Sequence, residues 1–150
     1  MEAGRGGRDR GAGCGMMEAM DAFALAQLVL RIILALVFVG MGITHFVPRV
    51  RRAMQAMIPA GLAGPDRRWA PALVAISGVA EIVGGAALLA PWWGVRFAAG
   101  IALIALLIAV FPANVQAARE PERFGAAAVP IAPRAIGQVV LGVLVLVSVI

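Results

Sequence analysis

WAPALVAISGVAEIVGGAALLAPWWGVRFAAGIALIALLIAVFPANVQAA, residues 69–118, holds two apolar runs joined by Pro91-Trp92-Trp93-Gly94. From Trp69 to Val95 the one formal charge is Glu81, and from Phe97 to Ala118 there is none. A helix needs ~20 apolar residues to cross the hydrocarbon layer, so each run is long enough. The Pro-Trp-Trp-Gly link leaves room only for a tight turn, which makes the two runs an antiparallel hairpin with its indoles in the headgroup layer. Alternation of period two is absent, which argues against a β-barrel. Outward from this hairpin, Ala22–Val47 carries only Arg31, and Ala135–Ile150 carries no charge. The spacing predicts an all-α fold, an integral membrane four-helix bundle with spans at roughly 22–46, 70–90, 94–113 and 132–150. The last is short, about 24 Å from Ala135 at ~1.5 Å per residue, so it starts earlier, near Ile131, or ends early.

The composition agrees. Of 150 residues, 62% are apolar and 14% charged, with a mean hydropathy of +0.94, against ~45–50% apolar in soluble domains. A disordered chain, a nucleic-acid module and an ordinary water-soluble enzyme are excluded. The 13 basic residues are all Arg and fall mainly in the N-terminal tail and the connections between spans. One Cys and one His rule out a disulfide framework, a C-x-x-C pair, a Cys-based zinc site and a multi-His metal site. No Ser-His-Asp or Cys-His set is present, so no self-sufficient catalytic constellation is expected. Residues 1–21 form a Gly/Arg-rich tail that reads as disordered. Met16, Met17 and Met20 also allow a start just before the first span. Residues 22–150 form a single transmembrane domain. Heavy Ala, Gly and Arg use without Lys points to a GC-rich bacterial genome, hence a bacterial plasma membrane.

Connections one and three hold eight Arg; the opposite side holds Arg5, Arg8, Arg10 and Arg96. The positive-inside rule then places connections one and three in the cytoplasm and both termini outside. Within connection one, Val50, Met54, Met57 and Ile58 recur at helical spacing, with Arg49, Arg51, Arg52 and Gln55 turned elsewhere. Two readings stand: a short basic amphipathic helix on the membrane surface, or a Pro-bounded loop whose Met residues pack on the bundle. Connection three, 115–133, reads as irregular.

Polar groups inside the membrane need partners or a task, because an ionised side chain at the bilayer centre costs ~2.5–3.5 kcal/mol. Measured from the side of connection one, Glu81 lies roughly 17 Å deep and Arg31 roughly 22 Å. An Arg side chain spans that gap, so a buried Arg31–Glu81 ion pair is expected; the alternative is Arg31 snorkelling to the far surface. His45 and Asn114 lie at similar depth and share a polar pocket with Glu81 deeper inside, walled by Phe38, Phe46 and Phe111. In the rival reading Asn114 caps its helix and His45 sits in the headgroup layer. Stripes of small residues, Ser77/Glu81/Gly85, Ala80/Gly84 and Ala98/Ala102/Ala105/Ala109, offer surfaces for close helix approach.

GITHFVP at 42–48, MIP at 57–59, ISGVAEIVGGAALLAP at 76–91 and VFPAN at 110–114 together resemble the DoxX-like family of small bacterial membrane proteins. The match runs in order from about residue 25 to 118. The resemblance implies a four-helix membrane domain, with His45, Glu81 and Asn114 in the family's recurring blocks. It further implies a membrane subunit beside quinone-linked or oxidant-handling redox partners, and brings in quinone as the one cofactor. The alternative is a non-catalytic scaffold or assembly factor that recruits a partner protein through its Arg-rich cytoplasmic face. No Cys lies in a span, which speaks against a thiol-exchange role. Lipid is the certain environment, nucleic acid is not a partner, and homo-oligomerisation is open. Four short helices without a broken pair suit a transporter poorly.

Overall fold

The computed structural model describes residues 8–124 and 129–150, with side chains from residue 21. The helices are α1 (Arg8–Thr44), α2 (Pro48–Met57), α3 (Ala60–Ala63), a 3-10 turn (Pro65–Arg67), α4 (Ala70–Ala87), α5 (Trp93–Arg119), α6 (Pro121–Phe124) and α7 (Ile131–Val149). Four segments are long and apolar enough to cross a membrane: Asp21–Thr44, Ala70–Ala87, Trp93–Arg119 and Ile131–Val149. Each agrees with a predicted span to within a few residues, save that α5 runs six residues past 113. Leu36, Ile76, Ile108 and Val139 are each about two-thirds exposed on the outer surface. A water-facing protein does not display such a surface on every side. The protein is a four-helix, all-α bundle whose apolar helices fit a multi-pass membrane protein.

The long helices form a closed ring. α1 packs on α4 and α7, α4 on α5, and α5 on α7. Leu34, Phe38, Leu88, Ala99, Leu103, Val145 and Val149 fill its centre. The tight turn between α4 and α5 is fastened by Arg96, whose Nη1 donates to the carbonyls of Ala90 (3.0 Å) and Pro91 (2.9 Å). Trp93 stacks on Phe97 with ring centroids 5.2 Å apart. Pro112 lies inside α5 and cannot supply an amide to the carbonyl of Ile108. One residue earlier, the Leu107 carbonyl accepts from Gln138 of α7 at 2.8 Å. A neighbouring helix thus supports the disturbed turn.

Three expectations change. The helix containing span one reaches back to Arg8, so residues 8–21 of the tail expected to be disordered over 1–21 are helical; Ala, Met and Glu at 16–20 carry a favourable helical register backwards. Residues 1–7 lie outside the described ones. The alanine stripe 98/102/105/109 faces outward. Ala99, Gly100 and Leu103 form the buried face of α5 instead, because the larger Leu103 side chain fills the centre. Connection three is helical at its start, through the end of α5 and α6, and residues 125–128 lie outside the described ones.

Connection one takes something from both of its readings. Pro48 starts α2 at the position where a missing amide costs nothing, and Met54 packs on a second core of Ile58, Ala63, Ala70 and Val74. The segment is therefore a folded platform. Arg67 locks it: Nη2 donates to the carbonyls of Gln55 (2.6 Å), Ala56 (3.3 Å) and Ile58 (2.8 Å), capping the C-terminus of α2. To reach them, Asp66 and Arg67 adopt positive φ angles of 49° and 57°, a strained conformation that the three bonds offset. Gly64 (φ 72°) must be glycine for a second reason, since a Cβ there would overlap the Trp69 indole.

Candidate functional site

Two short patterns place the only buried acid–base pair among the described residues. Gly42-x-x-His45 runs from the last turn of α1 to the turn residue just after it, and Gly78-x-x-Glu81 lies within α4. Residues three apart share a helix face, so each glycine sits one turn from its polar partner on the same side. A Cβ at Gly42 would lie 2.7 Å from the Gly78 carbonyl oxygen, and one at Gly78 would lie 2.7 Å from His45 Cβ. The two backbones touch at this crossing, and only glycine allows it. The contact puts His45 Nδ1 3.5 Å from Glu81 Oε2, with both side chains 8% exposed.

His45 Nδ1 also lies 3.0 Å from the Met41 carbonyl. A carbonyl only accepts, so Nδ1 carries the hydrogen and donates to it. Glu81 Oε2 is buried and accepts no hydrogen bond. A carboxylate oxygen without a donor is costly in a low-dielectric interior, and the His45 imidazole, a cation only when protonated, is the group that Glu81 faces. One proton decides whether the pair is neutral or ionic.

Arg31 does not join this pair. The register of α1 on α4 sets Gly42 against Gly78 and Glu81, and Ala35 and Phe38 against Gly85. Arg31 lies eleven residues before Gly42, about 16 Å along the axis at ~1.5 Å per residue, beyond side-chain reach. Its Nε donates to the Gln27 carbonyl at 3.2 Å instead. The expectation of an Arg31–Glu81 pair failed because it set both spans level at connection one. In fact the first turns of α4 extend past the end of α1 and pack on α2, which lowers Glu81 to the level of His45.

Asn114 is also engaged elsewhere. Its Oδ1 accepts from Arg134 Nη1 at 2.6 Å, and Arg134 Nε donates to the Val129 carbonyl at 3.1 Å. This bond ties the end of α5 to the start of α7. The shared His45–Asn114–Glu81 pocket is thus reduced to His45 and Glu81. Of its proposed walls, Phe38 is in the bundle core and Phe46 is 45% exposed. Sequence reasoning missed Arg67 and Arg134 as organising residues. The available signal was their position: each Arg stands beside a Pro- or Gly-marked break between helices, where oxygen acceptors needed a donor.

No curated protein and no solved structure matches the sequence. The family model described as Domain of unknown function (DUF8561) matches residues 34–149, from the second half of the first span to the end of α7, a stretch that includes the His45–Glu81 crossing. The chain belongs to that family.

Proposed function

We propose that the chain is a membrane subunit of the DoxX-like type that works beside a quinone-linked or oxidant-handling partner. It contributes a proton-exchanging His45–Glu81 pair inside the bundle and presents a basic platform at one surface, which the positive-inside rule makes cytoplasmic in a bacterial plasma membrane. The observation carrying this reading is the approach of His45 Nδ1 to Glu81 Oε2 at 3.5 Å in a buried setting. Imidazole is the one side chain that changes charge readily near neutral pH, and redox steps at membranes need a proton source within reach.

The residues present do not fit a quinone held by this chain alone. Backbone contact at Gly42 and Gly78 leaves no ring-sized gap between α1 and α4 at the pair, and the Asn114 oxygen is occupied by Arg134. Ring binding is therefore assigned to the partner. Membranes from the native host, with the gene deleted and then complemented, test the proposal. Quinone-linked respiration should fall on deletion and return with the wild-type chain but not with Glu81→Gln expressed to the same level. Unchanged respiration on deletion would defeat it. The scaffold reading would then stand, favoured by one observation, the locking of the platform by Arg67.

A further inference from the structure

A hollow of about 270 Å³ opens where α1 gives way to α2, lined by Phe46, Pro48, Arg51, Arg52 and Gln55. Its charge is uncompensated. The ion pairs of the described residues are His45–Glu81 and Arg123–Glu120, so neither Arg51 nor Arg52 has a carboxylate partner there. Arg51 Nε is enclosed and without a hydrogen-bond acceptor. Arg52 spends only its Nε, on the Pro48 carbonyl at 3.2 Å, leaving its terminal nitrogens to other acceptors. A guanidinium fork suits the oxygens of a phosphate group.

The other rim is apolar. Phe46, 45% exposed, and Pro48 form it, just after the apolar segment that ends at Thr44. The hollow therefore joins a cationic face to an apolar edge at the height where a span meets the headgroup layer. A free anion would have no use for that edge, and the space is smaller than the ~300–1,000 Å³ of ordinary small-molecule pockets. We infer that this hollow binds the phosphate headgroup of an anionic phospholipid, with Arg51 and Arg52 on the phosphate and Phe46 along the upper acyl chain. Basic recesses beside span ends are suited to this recognition. The site is separate from the His45–Glu81 pair and does not depend on any redox role.

Native mass spectrometry of the full chain in neutral detergent tests it, using phosphatidylglycerol and phosphatidylcholine at equal mole fraction. The wild-type chain should retain phosphatidylglycerol on the order of ten-fold better than phosphatidylcholine, and Arg51→Gln/Arg52→Gln should abolish the preference. Arg52→Gln alone, at an exposed position, should weaken retention about five-fold without touching the fold. Arg119→Gln, exposed at the end of α5, should leave it unchanged. Equal retention by Arg52→Gln and wild type would overturn the assignment. Displacement of the lipid by millimolar inorganic phosphate would overturn it in favour of a free-anion site. Displacement by an acidic peptide would overturn it in favour of a protein-docking face.

Discussion

Gly42→Ala should separate α1 from α4. The added methyl would lie 2.7 Å from the Gly78 carbonyl oxygen and 2.7 Å from Ile82 Cγ1, where ordinary contact begins at 3.4 Å. The backbone oxygen cannot rotate aside, so the helices must part by about 0.7 Å, and overpacking of this kind costs about 1–3 kcal/mol. Two internal controls bracket the effect. Gly40→Ala, on the same helix, meets nothing within 4 Å and should stabilise by about 0.5–1 kcal/mol through helix propensity alone. Gly84→Ala meets the buried Leu103 side chain, with Cδ2 2.7 Å and Cγ 2.9 Å away; a side chain can turn where a backbone oxygen cannot, and the loss should fall between the other two. Thermal unfolding of detergent-purified protein, followed by tryptophan fluorescence, ranks the three. If Gly42→Ala proves as stable as Gly40→Ala, the backbone contact does not exist and the His45–Glu81 approach loses its cause.

Arg67→Ala removes three carbonyl caps while leaving two residues in strained backbone; trypsin should then cut at Arg49–Arg52 at least ten-fold faster, with little change in the melting of the four-helix ring. Arg31→Gln and Glu81→Gln should lower stability additively, within about 0.3–0.5 kcal/mol, because the side chains never meet; rescue of one by the other in a melting experiment would refute the register. A cysteine at Ala53, exposed on α2, with Cys14 removed, should resist a membrane-impermeant thiol reagent in intact cells if the Arg asymmetry sets the orientation; labelling would invert it.

The spans were legible because a run of apolar residues is a local property that needs no knowledge of neighbours. Pairing is different. Arg31 and Glu81 were read as partners from depth alone, and depth depends on where each helix begins relative to the next. The folded platform of α2, α3 and the 3-10 turn shifts α4 along α1, and no local pattern in residues 48–69 encodes that shift. Asn114 finds Arg134 twenty residues on because antiparallel neighbours bring the end of α5 beside the start of α7. The G-x-x-H and G-x-x-E spacings were in the sequence, and they carried the contact: a glycine one turn from a polar residue marks where two helices touch closely enough for that residue to find its partner. The alanine stripe of α5 misled because small residues permit close packing without requiring it.

The chain contains one histidine, so 15N-histidine labelling gives a single imidazole whose two nitrogens can be followed by NMR without assignment. The account predicts an Nδ1 that is protonated and hydrogen-bonded in the wild-type protein, with both nitrogen signals displaced by Glu81→Gln and undisturbed by Arg31→Gln. Signals that ignore Glu81→Gln, or an Nδ1 without its proton at neutral pH, would contradict the buried His45–Glu81 pair on which the functional reading rests.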